Sequence, residues 1–204
     1  LDQLADANPT PGGGSAAAHT GAVAAALVAM VARLTIGKKK YAAVEEQMQE
    51  LITRADQLRA ELTAAETRDA AAFEAYMEAM KMPKDTPDQI EARSKAITDA
   101  KLMAAQVPLE VAHMAVGVME MALQAAAHGN ANAITDAASG CLLARAALLG
   151  AGLNIRINLD GFEDQNLSLP ILQELSSLEA RSAQNERELK TTLTERAGLP
   201  LPVA

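Results

Sequence analysis

The sequence predicts an all-α protein, an elongated bundle of about five long helices that forms a single domain over 1–204. Half of the 204 residues are hydrophobic, but only two Phe, two Tyr and no Trp are present. The core must therefore consist of Ala, Leu, Met, Val and Ile, whose small side chains let helices pack closely. Helix-forming residues dominate, and no segment convincingly shows the alternation of a half-buried strand.

The first helix is predicted from Ser15 to Thr35, because the Ala run that begins at Ala16 is a strong helix former and Ser15 suits the N-cap. The run 16–32 carries no charge apart from any on His19. It is short and only weakly apolar for a membrane span. We therefore expect a tightly packed helix of a soluble protein.

The second helix is predicted from Ala43 to Met80, because its apolar residues recur in steps of three and four. The stripe consists of Val44, Met48, Leu51, Ala55, Leu58, Leu62, Ala65, Ala72, Tyr76 and Met80. Asp69 is the one charged residue on it. A buried carboxylate must be paired, hydrogen-bonded or protonated.

Three more helices follow. Thr86 and Gln89 have the spacing of a capping box around Pro87, so a third helix starts there and ends before Gly129, with a kink at Pro108. A fourth helix is predicted from Asn132, as its N-cap, to Leu159. The segment 154–159 also alternates like a strand, but a lone short strand has no partner. Pro170 opens a last helix to about Arg196, within a peripheral segment 164–204.

Charge and cysteine content exclude several classes of function. A net charge of −8 argues against general nucleic-acid binding, which needs a basic face. The single Cys141 cannot form an intrachain disulfide, and its apolar neighbours predict a buried, inert thiol. The three His residues are scattered, so no metal site is expected. We expect a cytoplasmic protein without a metal, and the apolar surface of the first two helices predicts a homodimer.

Two motifs could bind an anion. Pro11, Gly12, Gly13, Gly14 and Ser15 place a glycine-rich loop before a helix, where free N–H groups and the helix dipole attract negative charge. Lys38, Lys39, Lys40 and Tyr41 form a positive patch in an acidic chain. The alternatives are a flexible turn for the first motif and a solvated basic turn at a helix end for the second.

Other polar residues could act on a ligand. Asp69, one turn before Phe73, is a candidate acid or base, or else a structural ion pair. Two further sets are Asn130, Asn132 and Asp136, and Asn154, Arg156 and Asn158. The first set also suits helix capping, and the second suits hydrogen bonds between packed helices. Arg145 is expected to pair with Asp69 or Asp136.

These residues resemble the cyclodeaminase/cyclohydrolase family. That family comprises the cyclodeaminase half of formiminotransferase-cyclodeaminase and stand-alone bacterial methenyltetrahydrofolate cyclohydrolases. The resemblance is carried by 9–18 and 34–41 and continues through Asp69 with Phe73, 107–109, 129–137 and 154–159. It covers roughly 1–160 closely and the last helix only in character. His19 stands where a small or aliphatic residue is expected, so the resemblance assigns it no role.

The resemblance implies an all-helical dimer that acts on tetrahydrofolate one-carbon units, with a tetrahydrofolate derivative as substrate and no other cofactor. We expect hydrolysis of 5,10-methenyltetrahydrofolate, with Asp69 or Asp136 as the base. The motifs above would bind the carboxylates and the pterin of the folate. Formimidoyltetrahydrofolate cyclodeaminase is the alternative, although the sequence shows no formiminotransferase domain. A non-catalytic helical dimerisation module is a further alternative function.

Overall fold

A computed structural model describes residues 1–162 and 164–201, and these form five long helices with no strand. The helices are α1 (Gly13–Arg33), α2 (Glu45–Lys81), α3 (Pro87–His128), α4 (Ile134–Leu159) and α5 (Gln165–Ala197). Short 3-10 turns lie at Gln3–Ala5, Lys39–Val44 and Ala131–Ala133. The predicted fold class is therefore confirmed.

Helices α1 to α4 pack around one core, and α5 lies against α3 and α4. The N-terminal end of α1 lies beside Asn154 near the end of α4, and its C-terminal end lies beside Asn130, just before α4. These two helices are therefore antiparallel. α5 contributes Leu175 and Leu189 to the common core.

Small residues allow α1 to approach its neighbours closely, as the composition predicts. A Cβ added to Gly21 would lie 3.0 Å from Leu62 Cδ2, and one added to Gly140 would lie 3.2 Å from the Ala24 carbonyl oxygen. Larger side chains at these two positions would force α2 or α4 away from α1. The Ala and Gly content thus sets the spacing of the bundle.

The predicted stripe on α2 is buried along its first two-thirds, for example at Met48 and Leu62, whereas Tyr76 is half-buried and Met80 is exposed. Burial of the stripe decreases towards the end of α2 because α2 extends beyond the start of α1. α2 continues for twelve residues past Asp69, which lies beside the start of α1. This last part of α2 pairs with α3, where Ala72 packs with Ala104 and Val107.

Several predicted helix boundaries are confirmed. Thr86 and Gln89 form both hydrogen bonds of the capping box, and Gly129 is the C-cap of α3. α3 continues through Pro108. α4 remains helical to Leu159, so the helical interpretation of 154–159 is correct.

Three predicted starts are wrong. The N-cap of α1 is Gly12, and Ser15 lies inside the first turn. Asn132 lies in a 3-10 turn, and α4 begins after Ala133. α5 begins five residues before Pro170, because the Asp164 side chain accepts a hydrogen bond from the Asn166 N–H and caps the helix there.

By length and composition, three helical segments could cross a membrane, which contradicts the expectation that α1 is too short and too weakly apolar. They are Gly13–Arg33, Pro87–His128 and Ala131–Leu159. The share of the most apolar window that is buried inside the fold is 61%, 67% and 50%, respectively. Much of this apolar surface is therefore already used in packing between helices.

The Cys141 thiol is expected to be unreactive in the folded protein. The side chain is fully buried in α4, and burial raises the pKa of the thiol to about 12. Because the thiolate is the reactive form, a chromogenic disulfide reagent at neutral pH should label Cys141 only after unfolding. Fast labelling of the native protein would contradict this burial.

Candidate active site

Three of the predicted motifs meet at the N-terminal end of α1. The Ser15 hydroxyl lies 2.9 Å from Asp69 Oδ2 and 3.1 Å from the Glu66 carbonyl oxygen, both on α2. Gly13 faces α4, where a Cβ on it would lie 3.3 Å from Asn154 Nδ2. The glycine-rich loop, Asp69 and Asn154 therefore belong to one cluster.

The glycine at position 14 is required by close approach, not by backbone conformation. Gly12, Gly13 and Gly14 all have ordinary φ values, and the glycines with positive φ lie elsewhere in the chain. A Cβ on Gly14 would lie 2.1 Å from Asp69 Oδ1 and 2.6 Å from its Cγ. A bare backbone at Gly14 thus makes room for the carboxylate.

Asp69 is half-buried, not buried as predicted. Gly12 offers no side chain to cap α1, so no N-cap side chain bonds the first-turn N–H groups, which suit an anion. Of the first three residues of α1, Gly13 is exposed, whereas Gly14 and Ser15 are buried. Phe73 lies half-buried one turn further along α2. This end combines a carboxylate, free N–H groups and an aromatic ring.

A second cluster lies at the other end of α1. The Asn130 N–H donates to Thr35 Oγ1 at 2.8 Å, and its side-chain amide donates to the Leu34 carbonyl at 3.1 Å. The Ala131 N–H donates to the Tyr41 hydroxyl oxygen at 3.0 Å. These bonds fix the segment that carries the three lysines, and Lys38, Lys39 and Lys40 are exposed.

The Tyr41 hydroxyl is polarised by its neighbours. The hydrogen bond from the Ala131 N–H favours the phenolate and lowers the pKa of Tyr41, and the positive charge of Lys40 acts in the same direction. Lys40 Nζ lies 5.4 Å from the centre of the Tyr41 ring. Because its oxygen accepts a hydrogen bond, the neutral hydroxyl keeps its own proton for a ligand.

The two clusters do not form one site within a single chain. α1 has 21 residues, which corresponds to about 30 Å. Asp136, half-buried in the first turn of α4, lies at the lysine end together with the exposed Asn132. Asp69 and Asp136, the two candidate bases, are therefore at opposite ends of the molecule.

Three other polar residues have structural partners. Asn158 donates to the Ala104 carbonyl at 2.7 Å and so joins α4 to α3. Arg156 is exposed and lies 2.8 Å from Glu179, which raises the pKa of the guanidinium. The predicted pairing of Arg145 with Asp69 or Asp136 is wrong, because Arg145 lies 2.9 Å from Glu186 of α5.

Two residues beside Asp69 were not predicted. His19 Nδ1 lies 3.1 Å from Glu66 Oε1, and both side chains line a cavity of about 230 Å³ that Ser15 and Thr20 also line. The signal was present in the spacing, since His19 is four residues after Ser15 and Glu66 three before Asp69. Among the described residues, no group of three or more His, Cys, Asp or Glu could hold a metal ion.

Comparison with known proteins establishes the family. A family model described as Formiminotransferase-cyclodeaminase matches residues 1–177. The chain belongs to the formiminotransferase-cyclodeaminase family. Similar members include the methenyltetrahydrofolate cyclohydrolase of Methylorubrum extorquens, which is 42% identical over 192 residues, 94% of this chain and 92% of that protein.

Longer members of the family contain this unit as a part. The formimidoyltransferase-cyclodeaminase of Sus scrofa is 33% identical over 86% of this chain, and the match spans 32% of that protein. The crystal structure of formiminotetrahydrofolate cyclodeaminase from Thermotoga maritima is 29% identical, with a TM-score of 0.86. It matches 95% of this chain and 93% of its own. The relatives named here are enzymes of folate one-carbon chemistry.

Proposed function

We propose that this protein hydrolyses 5,10-methenyltetrahydrofolate to 10-formyltetrahydrofolate. The observation that carries the proposal is the 42% identity to a cyclohydrolase over nearly the full length of both chains. The half-buried Asp69 beside uncapped N–H groups supports it. A carboxylate there would attract the cationic methenyl bridge, and the N–H groups would attract the folate carboxylates.

In this proposal, Asp69 orients a water molecule and accepts its proton as the oxygen attacks the methenyl carbon. The resulting carbinolamine then collapses, and N5 takes a proton as the bond from the carbon to N5 breaks. A positioned general base of this kind contributes roughly 10²–10⁴-fold. The reaction needs proton transfer but no redox step, so the proposal includes no metal or cofactor besides the folate substrate.

Formimidoyltetrahydrofolate cyclodeaminase is the second candidate, because the formiminotetrahydrofolate cyclodeaminase of Thermotoga maritima is similar in length and fold. Chain length therefore does not separate the two activities. The deciding experiment measures loss of methenyl absorbance and, separately, ammonia release from the formimidoyl substrate. Methenyl loss without ammonia supports the cyclohydrolase, and the reverse supports the cyclodeaminase. Neither activity and no saturable folate binding would favour a non-catalytic helical dimerisation module.

We also propose a homodimer formed through the exposed face of α1 and α4. This face carries apolar side chains that remain open to solvent, namely Val23, Met30, Leu142, Leu149, Leu153 and Ile157. Leu153 and Ile157 are 68% and 67% exposed. A second copy would cover this surface, and a stable monomer at micromolar concentration in sedimentation experiments would contradict it.

The separation of the two clusters favours an antiparallel dimer. A two-fold axis perpendicular to α1 would place the lysine end of one chain beside Gly13 and Asp69 of its partner. Each dimer would then contain two sites, each with a carboxylate from one chain and lysines from the other. The proposed location is the cytoplasm, with no nucleic-acid or membrane partner.

The proposed lysine contribution predicts a change in substrate affinity. Lys39→Ala together with Lys40→Ala should raise KM and reduce its salt dependence, because exposed positive charge steers an anionic substrate and salt screens it. The kcat value should be largely unchanged. Steady-state kinetics at several salt concentrations measure both effects, and an unchanged KM would restrict the patch to a role at the helix end.

Mixing two variants tests whether sites are shared between chains. In a heterodimer of Asp69→Asn and Lys39→Ala/Lys40→Ala chains, shared sites would give one site with both changes and one intact site. Random exchange should therefore restore about 25% of wild-type activity at low substrate concentration. If each site is formed by a single chain, every site in the mixture carries one of the two changes. Mixing would then restore no activity.

A further inference from the structure

We propose that His19, held by Glu66, is a second proton-transfer group of the site, which removes the proton that the hydrolysis releases. This inference rests on the proposed cyclohydrolase reaction. Its basis is a pair of contacts between the same faces of α1 and α2. Ser15 contacts Asp69 at 2.9 Å, and His19, one turn later, contacts Glu66 at 3.1 Å.

The Glu66 contact sets the state of the imidazole. An ionised carboxylate only accepts hydrogen bonds, so the Nδ1 atom of His19 carries the proton that points at Glu66 Oε1. In the neutral ring, Nε2 then keeps a free lone pair. An imidazole oriented in this way by a carboxylate can accept a proton at Nε2.

The position of His19 suits exchange of a proton with solvent. The His19 side chain is 56% exposed and that of Glu66 is 31% exposed. Both line the cavity of about 230 Å³ that Ser15 also lines. One side of the pair therefore faces a cavity that is shared with Ser15, the residue in contact with Asp69, and the exposed side faces water.

The balance of the reaction leaves one proton that such a group can accept. In the first step, the water oxygen bonds to the methenyl carbon, the π electrons of the C=N bond move to nitrogen, and one proton passes to Asp69. In the second step, the bond from carbon to N5 breaks, and N5 takes the proton from Asp69. The hydroxyl proton leaves as the C=O bond forms. Asp69 is then restored, and His19 takes this last proton and passes it to water.

The test separates loss of the methenyl group from release of the last proton in time. His19→Asn keeps a hydrogen-bond donor for Glu66 but cannot accept a proton, so kcat should fall by at least about tenfold with little change in KM. In stopped-flow experiments with a pH indicator, methenyl absorbance should still be lost rapidly in the first turnover. Proton release should slow by the same factor as kcat. Added imidazole should accelerate proton release in His19→Ala, a rescue that a merely structural role would not show.

The chain offers a matched control. His113 lies 2.7 Å from Glu174, and these two side chains are 46% and 48% exposed, but they join α3 to α5. His113 lines a different cavity, which neither Ser15 nor Glu66 lines. His113→Asn should leave both signals unchanged. If His19→Asn has the wild-type kcat and releases its proton as fast as methenyl absorbance is lost, the role of His19 is overturned. The proposed function would still stand. A wild-type protein that leaves methenyltetrahydrofolate intact would overturn the proposed function, and this inference with it.

Discussion

Asp69→Asn is expected to lower kcat by at least about 10²-fold while the protein stays folded, as for the loss of a general base. The amide has nearly the same shape as the carboxylate, and its oxygen can still accept the hydrogen bond that Ser15 now donates to Oδ2. The amide cannot accept a proton from water. Folate affinity should largely remain, because the N–H groups and the lysines are unchanged.

The measurements are steady-state kinetics, a thermal melt and equilibrium folate binding. Asp56 provides a matched control, since it is a half-buried carboxylate of α2 that also contacts α1, where it pairs with Arg33. Asp56→Asn should keep kcat near the wild-type value. A folded Asp69→Asn protein with wild-type turnover would exclude Asp69 as the base and make Asp136 the leading candidate. Unfolding or dissociation would instead indicate a structural role.

Periodicity and composition were sufficient to predict the helices, because the spacing of apolar residues reports directly on a buried face. The start of α5 was missed for a local reason. Proline is tolerated in a first turn, so Pro170 predicts a helix start, but a side chain that accepts an N–H defines the N-cap. Asp164 is such a residue and lies six positions earlier.

The contacts of polar residues were harder to predict than the motifs that contain them. Spacing shows which face of a helix a residue occupies but not which helix lies opposite, so the partner of Arg145, Glu186 of α5, could not be read from the sequence. The separation of the two anion-binding motifs, by contrast, can be predicted from the sequence. Predicted helix one joins them, and its rise of 1.5 Å per residue already implies about 30 Å.

Gly14→Ala is expected to reduce activity about as strongly as Asp69→Asn, by at least about 10²-fold, through displacement of the same carboxylate. The added methyl group would lie 2.1 Å from Asp69 Oδ1. α1 and α2 cannot easily separate to relieve this overlap, because Ala18 and Ala65 are fully buried in the core. The carboxylate must therefore rotate away and lose its contact with Ser15. We expect the free energy of unfolding to fall by about 1–3 kcal/mol, as for other overpacked sites.

A double-mutant cycle tests this mechanism. In an Asp69→Ala background the carboxylate is absent, so Gly14→Ala should cause no further loss of activity and little loss of stability. Gly12→Ala is the control, because its Cβ would make an ordinary contact of 3.4 Å with the Pro9 carbonyl oxygen and its φ of −119° suits any residue. Equal losses from Gly14→Ala with and without the carboxylate would show that the glycine acts independently of Asp69, for example by leaving room for the ligand at the start of α1.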